Sequence, residues 1–91
     1  MPLFIIERRF AEELDVTLEA ADRINAINDD ERVRWLYSFL SADKKKTYCL
    51  YEAPSSDAIR RAAERAGLPF DVVTELDGRI MPDATHTEVP S

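Results

Sequence analysis

The chain has little of what most chemistry-bearing motifs require. Its 91 residues include one cysteine, one histidine, one tryptophan and two glycines. A single cysteine excludes an intrachain disulfide and suits a reducing compartment, so a cytoplasmic protein is expected. Two glycines are too few for a phosphate-cradling loop or a dinucleotide fingerprint, and no organic cofactor is expected. HExxH and CxxC metal motifs are excluded by the same counts. No apolar run approaches eighteen residues, so no membrane span is expected. The opening MPLFIIERRF lacks a basic leader and turns charged at Glu7, which reads as a strand and not as a signal peptide. Basic residues are outnumbered, 12 Lys and Arg against 18 Asp and Glu, for a net charge of −6. Phosphate binding needs an accumulated positive field, so a nucleic-acid partner is not expected. The one basic cluster, Lys44–Lys46, sits in a polar turn and reads as a solvated tip.

What is present begins with residues 33–54, VRWLYSFLSADKKKTYCLYEAP, two alternating aromatic runs joined by that turn. A period of two sends Trp35, Tyr37 and Phe39 to one side of the first strand and Leu36, Ser38 and Leu40 to the other. On the second strand Thr47, Cys49 and Tyr51 oppose Tyr48, Leu50 and Glu52. Both faces of this hairpin carry large apolar groups, so both need cover. Helices supply it on one face. A second copy of the chain, a ligand, or both must supply it on the other.

Around the hairpin, Leu3–Phe10 alternates as a first strand. Thr17 is a plausible N-cap, with Glu19 in the first turn of a helix that runs to Asn28–Glu31. Leu18, Ala21, Ile24 and Ile27 form its apolar stripe. Ala53-Pro54-Ser55 ends the third strand and caps a second helix, whose Ile59, Ala62, Ala63 and Ala66 follow the i, i+3, i+4, i+7 template. Asp57–Arg61 and Arg60–Glu64 are its expected i,i+4 pairs. Gly67, Leu68 and Pro69 form a helix stop, and residues 71–76 a fourth strand. The order βαββαβ predicts a ferredoxin-like α+β domain over residues 1–77: a four-stranded antiparallel sheet with two helices on one face. Residues 78–91 have no sustained period and read as an extended tail. A domain this short buries only about 60–65% of its unfolded surface, so association is favoured.

No catalytic constellation is legible, and a binding role is expected over an enzymatic one. Cys49 lies mid-strand among large apolar neighbours, with no base near it in sequence. It reads as buried and inert, with metal ligation the weaker alternative. His86 sits in Ala84-Thr85-His86-Thr87-Glu88, where a solvated side chain is the plainer reading and ligation through a dimer the sharper one. Glu7 and Glu52 interrupt apolar strands and form a candidate carboxylate pair for a hard metal, against the plainer reading of strand-end groups paired with Arg8, Arg9 or Arg34. Trp35, Tyr37, Tyr48 and Tyr51 are the candidate lining of an aromatic pocket, or simply core and interface. The acidic run at residues 28–31 lacks the alternating oxygens and glycine of an EF-hand.

The stretches LFIIERRF (Leu3–Phe10), SADKKKTYCLYEAP (Ser41–Pro54) and AIRRAAERAGLP (Ala58–Pro69) resemble a group of small bacterial domains, DUF4242, also described as nickel-binding-protein-like. The resemblance covers Met1 to about Leu76. It implies a ferredoxin-like fold, a homodimer and a divalent ion such as nickel. Its candidate ligands here are Glu7, Glu52, Cys49 and His86. With eighteen carboxylates and one imidazole to draw on, such a site would be oxygen-rich and of modest affinity. Two other classes remain open: a small-molecule pocket of the dimeric α/β-barrel type, including cofactor-free oxygenase-like chemistry, and a pure dimerisation domain.

Overall fold

The structure is a computed structural model that describes residues 1–87. Its first helix, α1 (Leu18–Asp30), starts where the Thr17 Oγ1 accepts from the Ala20 N–H at 3.1 Å, an N-cap that satisfies one of the end donors. It stops with Arg32 at φ 61°, and the Val33 N–H folds back to the Asn28 carbonyl at 2.8 Å. The second helix, α2 (Ser56–Ala66), is capped likewise by Ser55 Oγ on the Ala58 N–H. Gly67 takes the left-handed conformation at its end, and the Leu68 N–H returns to the Ala63 carbonyl.

Four strands, β1 (Leu3–Arg9), β2 (Arg34–Leu40), β3 (Lys46–Glu52) and β4 (Val72–Leu76), form one antiparallel sheet in the order β2-β3-β1-β4. This is the predicted ferredoxin-like arrangement, with the expected element bounds moved by a residue or two. One local feature differs. The β2–β3 register passes from Trp35 opposite Tyr51 to Tyr37 opposite Leu50, so Leu36 forms a bulge. An extra residue in one strand reverses the alternation beyond it. Trp35 therefore shares the helix-facing side with Tyr51, whereas Tyr37 and Phe39 join Leu50 and Tyr48 on the open side. The expected single row of Trp35, Tyr37 and Phe39 does not form.

The core lies between the sheet and α2. Phe4, Ile6, Cys49 and Tyr51 from the strands meet Ala58, Ile59 and Ala62, all buried. The alanines keep α2 close to the strands. Helix α1 is covered much less well: Ala21, Ile24 and Ile27 are half-buried, and Leu18, expected in the stripe, is exposed. The acidic end of α1 is tied to α2. Glu31 accepts from Arg61 and Arg65 at 3.0 Å each, and Asp30 pairs with Arg65 at 3.0 Å. Arg61 thus reaches across to α1 instead of to Asp57, which pairs with Arg60 at 3.8 Å. The tail is not wholly extended. Two short strands, β5 (Arg79–Ile80) and β6 (His86–Thr87), form a small hairpin. Gly78 permits its approach, since a Cβ there would lie 2.5 Å from the Thr87 carbonyl oxygen. Among the described residues no helix is long and apolar enough to cross a membrane.

Candidate functional site

The incomplete seating of α1 leaves a cavity of about 540 Å³ between that helix and the sheet. Its apolar lining includes Phe10, Val16, Ile24, Trp35 and Leu68. On its sheet side Trp35 Nε1 donates to Ser38 Oγ at 2.9 Å, a bond that spans the Leu36 bulge. Cys49, free and buried, approaches Thr47 Oγ1 at 3.5 Å. The most unusual member is Arg8, 3% exposed, at an inward position in line with Phe4 and Ile6. Its Nη1 donates to the Pro69 carbonyl at 2.6 Å and its Nη2 to the Tyr51 hydroxyl at 3.2 Å. The guanidinium also stands 5.6 Å from the centre of the Tyr51 ring. Burial pushes the Tyr51 phenol above its ordinary value, with Arg8 opposing that shift, and the hydroxyl keeps its proton at neutral pH.

A second hollow, about 360 Å³, lies on the open side of the sheet between Ile5, Tyr37, Phe39, Tyr48, Leu50 and the start of the tail. Phe39 and Tyr37 are 64% and 53% exposed and meet edge to face, their rings 5.6 Å apart. Glu7 lies on this side and pairs with Lys46 Nζ at 2.9 Å. That bond is the main cause of the raised Lys46 pKa, and the ammonium also lies over the Tyr48 ring. Nearby in sequence, His86 Nε2 meets Asp77 Oδ2 at 2.8 Å.

The candidate residues named from the sequence are therefore divided. Trp35 and Tyr51 belong to the helix-side cavity, Tyr37 and Tyr48 to the open-side hollow, so the four do not line one pocket. Glu7 and Glu52 share the open side but not a site. Glu7 is opposite Tyr48 and Glu52 opposite Leu3, four positions apart along the strands, or about 13 Å at the usual rise. Glu52 is buried and pairs with Arg34 at 3.3 Å, one of the plainer partners foreseen for it. Cys49 faces the helices, away from both. His86 finds Asp77 as its neighbour; Glu88, the other half of its His-x-Glu motif, lies outside the described residues. Among the described residues no three His, Cys, Asp or Glu side chains are grouped to hold a metal ion. The sequence offers Arg8 only as a partner for Glu7 or Glu52, and it pairs with neither. The signal for its burial was an arginine at an inward position of the series Phe4, Ile6, Arg8, Phe10.

Comparison with known proteins adds identity to this geometry. Residues 4–76 match the family model described as nickel responsive protein SCO4226-like. Among solved structures, the chain is similar to SCO4226 from Streptomyces coelicolor A3(2), with 26% sequence identity and a TM-score of 0.73. The similarity covers 85% of this chain and 98% of that one. No curated protein matches. The nickel-related part of the resemblance read from the sequence is met by this family, which carries a different name from DUF4242.

Proposed function

We propose that this chain, which belongs to the SCO4226-like family of nickel responsive proteins, is a homodimeric protein that binds a divalent ion such as nickel through donors from two copies. The observation that carries the reading is the family match over residues 4–76, taken with the lack of a three-donor group in a single copy among the described residues. A family described as nickel responsive, on a chain whose described residues offer donors only singly or in pairs, suits a shared site. The open side of the sheet supports the pairing. It exposes Tyr37 and Phe39 beside partly covered Ile5 and Tyr48, apolar surface that a small domain gains from burying. Glu7 faces that side, and Asp77 with His86 lies at the start of the tail. Carboxylate and imidazole together suit nickel better than carboxylate alone, though still with modest selectivity among divalent ions.

Calorimetric titration with nickel, cobalt and zinc tests the reading, run beside sedimentation. The parent should bind nickel as a dimer. The double variant Glu7→Gln with His86→Ala should bind about tenfold more weakly or worse, roughly 1.4 kcal/mol. Because Asp77 and His86 fall outside the matched residues, a chain ending at Leu76 separates a family-wide site from one that the tail completes. Unchanged nickel binding by the double variant would refute the donors. A parent that binds none of the three ions would refute the function.

A further inference from the structure

We infer that the cavity between α1 and the sheet is a binding site for a small organic carboxylate with an apolar body, and that the buried Arg8 guanidinium is its counter-charge. The inference is independent of the metal reading, since none of the open-side donors lines this cavity.

Three observations converge. The first is charge. Moving a guanidinium out of water costs several kcal/mol unless an opposite charge or enough hydrogen bonds compensate. Arg8 is 3% exposed, its two hydrogen-bond partners are both neutral, and none of the ion pairs among the described residues includes it. A guanidinium has five N–H donors in a planar fork, a geometry that matches a carboxylate. Two donors are used, and the group borders the cavity. The cavity walls also carry Arg23 and Lys44 against the single carboxylate of Asp15, a local balance of +2 in a chain of net charge −6. Such a balance favours an anion over a cation.

The second is shape and chemistry. A volume of about 540 Å³ falls within the usual range for small-molecule sites, about 300–1,000 Å³. The walls are mostly apolar, with neutral polar groups gathered on the sheet side and the charges of Asp15, Arg23 and Lys44 on the helix and loop sides. The Tyr51 hydroxyl accepts from Arg8 and has its own proton to donate. Ser38 and Thr47 line the same cavity. A ligand with an acidic head and an aromatic or branched aliphatic body satisfies both parts.

The third is packing. Helix α1 carries an apolar stripe, yet Ala21, Ile24 and Ile27 stay half-buried, while the shorter α2 has five buried residues. The cavity runs along α1 at Ala20, Arg23 and Ile24, so an apolar body there adds cover to Ile24.

Trp35 is the only tryptophan and lines the cavity, so its emission reports directly on occupancy. The probes are 4-phenylbutyrate and decanoate, each against its neutral amide, titrated into the full chain with Trp35 emission and melting temperature as readouts. At least one carboxylate should shift the emission and raise the melting temperature, with its amide at least about tenfold weaker, a 1.4 kcal/mol difference. Arg8→Met should remove that preference for the acid. Should Arg8→Met fail to fold, Ala20→Trp fills the cavity from an exposed helix position without touching Arg8. A folded Ala20→Trp chain, with its melting temperature as readout, should lose the response to the carboxylate. Equal binding of acid and amide, an Ala20→Trp chain that responds as the parent does, or no response to either acid up to about 5 mM would overturn the inference.

Discussion

Arg8 occupies a position that its neighbours Phe4 and Ile6 would assign to an aliphatic side chain, and the fold surrounds it with a carbonyl, a phenol and a ring face. By contrast Ile59 is an ordinary core residue, with no exposed surface and packed under the sheet. Ile59→Ala removes three carbons at a site walled by two layers, and should cost about 2–5 kcal/mol in denaturant titration. For a domain of this size that is a large share of a total stability of about 5–10 kcal/mol. Cys49 is 4% exposed, and the one hydrogen-bond partner of its thiol is the Thr47 hydroxyl. Iodoacetamide should label it slowly in the folded chain and promptly in denaturant. Fast stoichiometric labelling of the native chain near neutral pH would contradict the inert reading. The apolar character of Cys49 was legible from its strand. The role of Arg8 was not, because an inward charge is recognisable only once the inward side is known.

At the scale of elements, the two helix ends make a matched pair. Gly67 sits at φ 71° with open space where a side chain would go, so Gly67→Ala costs backbone strain alone, about 1 kcal/mol or slightly more. Arg32 holds the corresponding left-handed turn after α1 at φ 61°, where glycine is the easier residue. Arg32→Gly should therefore stabilise, by up to about 1 kcal/mol. Thermal melts of the two variants should shift in opposite directions, and a shared direction would rule out backbone strain as the cause. The helices also meet through Glu31, whose hydrogen bonds to Arg61 and then Arg65 hold its carboxyl below the ordinary value of 4.5. A depressed carboxylate contributes stability that is present above 4.5 and lost as pH falls through the lower folded value. Glu31→Gln should lower the melting temperature at pH 7, and the gap from the parent should close below pH 4.5. A gap that stays constant across that window would mean that Glu31 acts by packing and not by charge. The caps at Thr17, Ser55 and Gly67 were all readable from local chemistry. The partners of Arg61 and Arg65 were not, because i,i+4 spacing describes one helix and these arginines answer to another.

Across the whole molecule, one side of the sheet is closed by helices and the other ends in exposed aromatic rings. Phe39 and Tyr37 project from β2, and β1 and β3 put Ile5, Tyr48 and Leu50 beside them. If a second copy covers this side, Tyr37→Glu with Phe39→Glu should convert the dimer to a monomer in sedimentation while leaving the far-ultraviolet spectrum unchanged. A parent that is monomeric at micromolar concentration would refute the pairing outright. Nickel binding and dimerisation should fail together in the double glutamate variant, since the proposed donors belong to two copies. Retention of nickel binding by a monomeric variant would place the ion within a single chain.

Local rules sufficed for what local chemistry controls. Strand periods, capping hydroxyls, the αL glycine and the βαββαβ order are set by near neighbours in the chain, and from them the ferredoxin-like fold follows by topology. Tertiary structure decided the rest. The bulge at Leu36 turned Trp35 away from Tyr37 and split the four pocket aromatics between two sides of the sheet. Strand register set Glu7 and Glu52 apart, because a shared face fixes direction but not distance along the strand. The tail hairpin brought His86 to Asp77. The seating of α1 opened a cavity over Arg8, since a helix stripe specifies what must be buried and leaves open how closely the helix can approach.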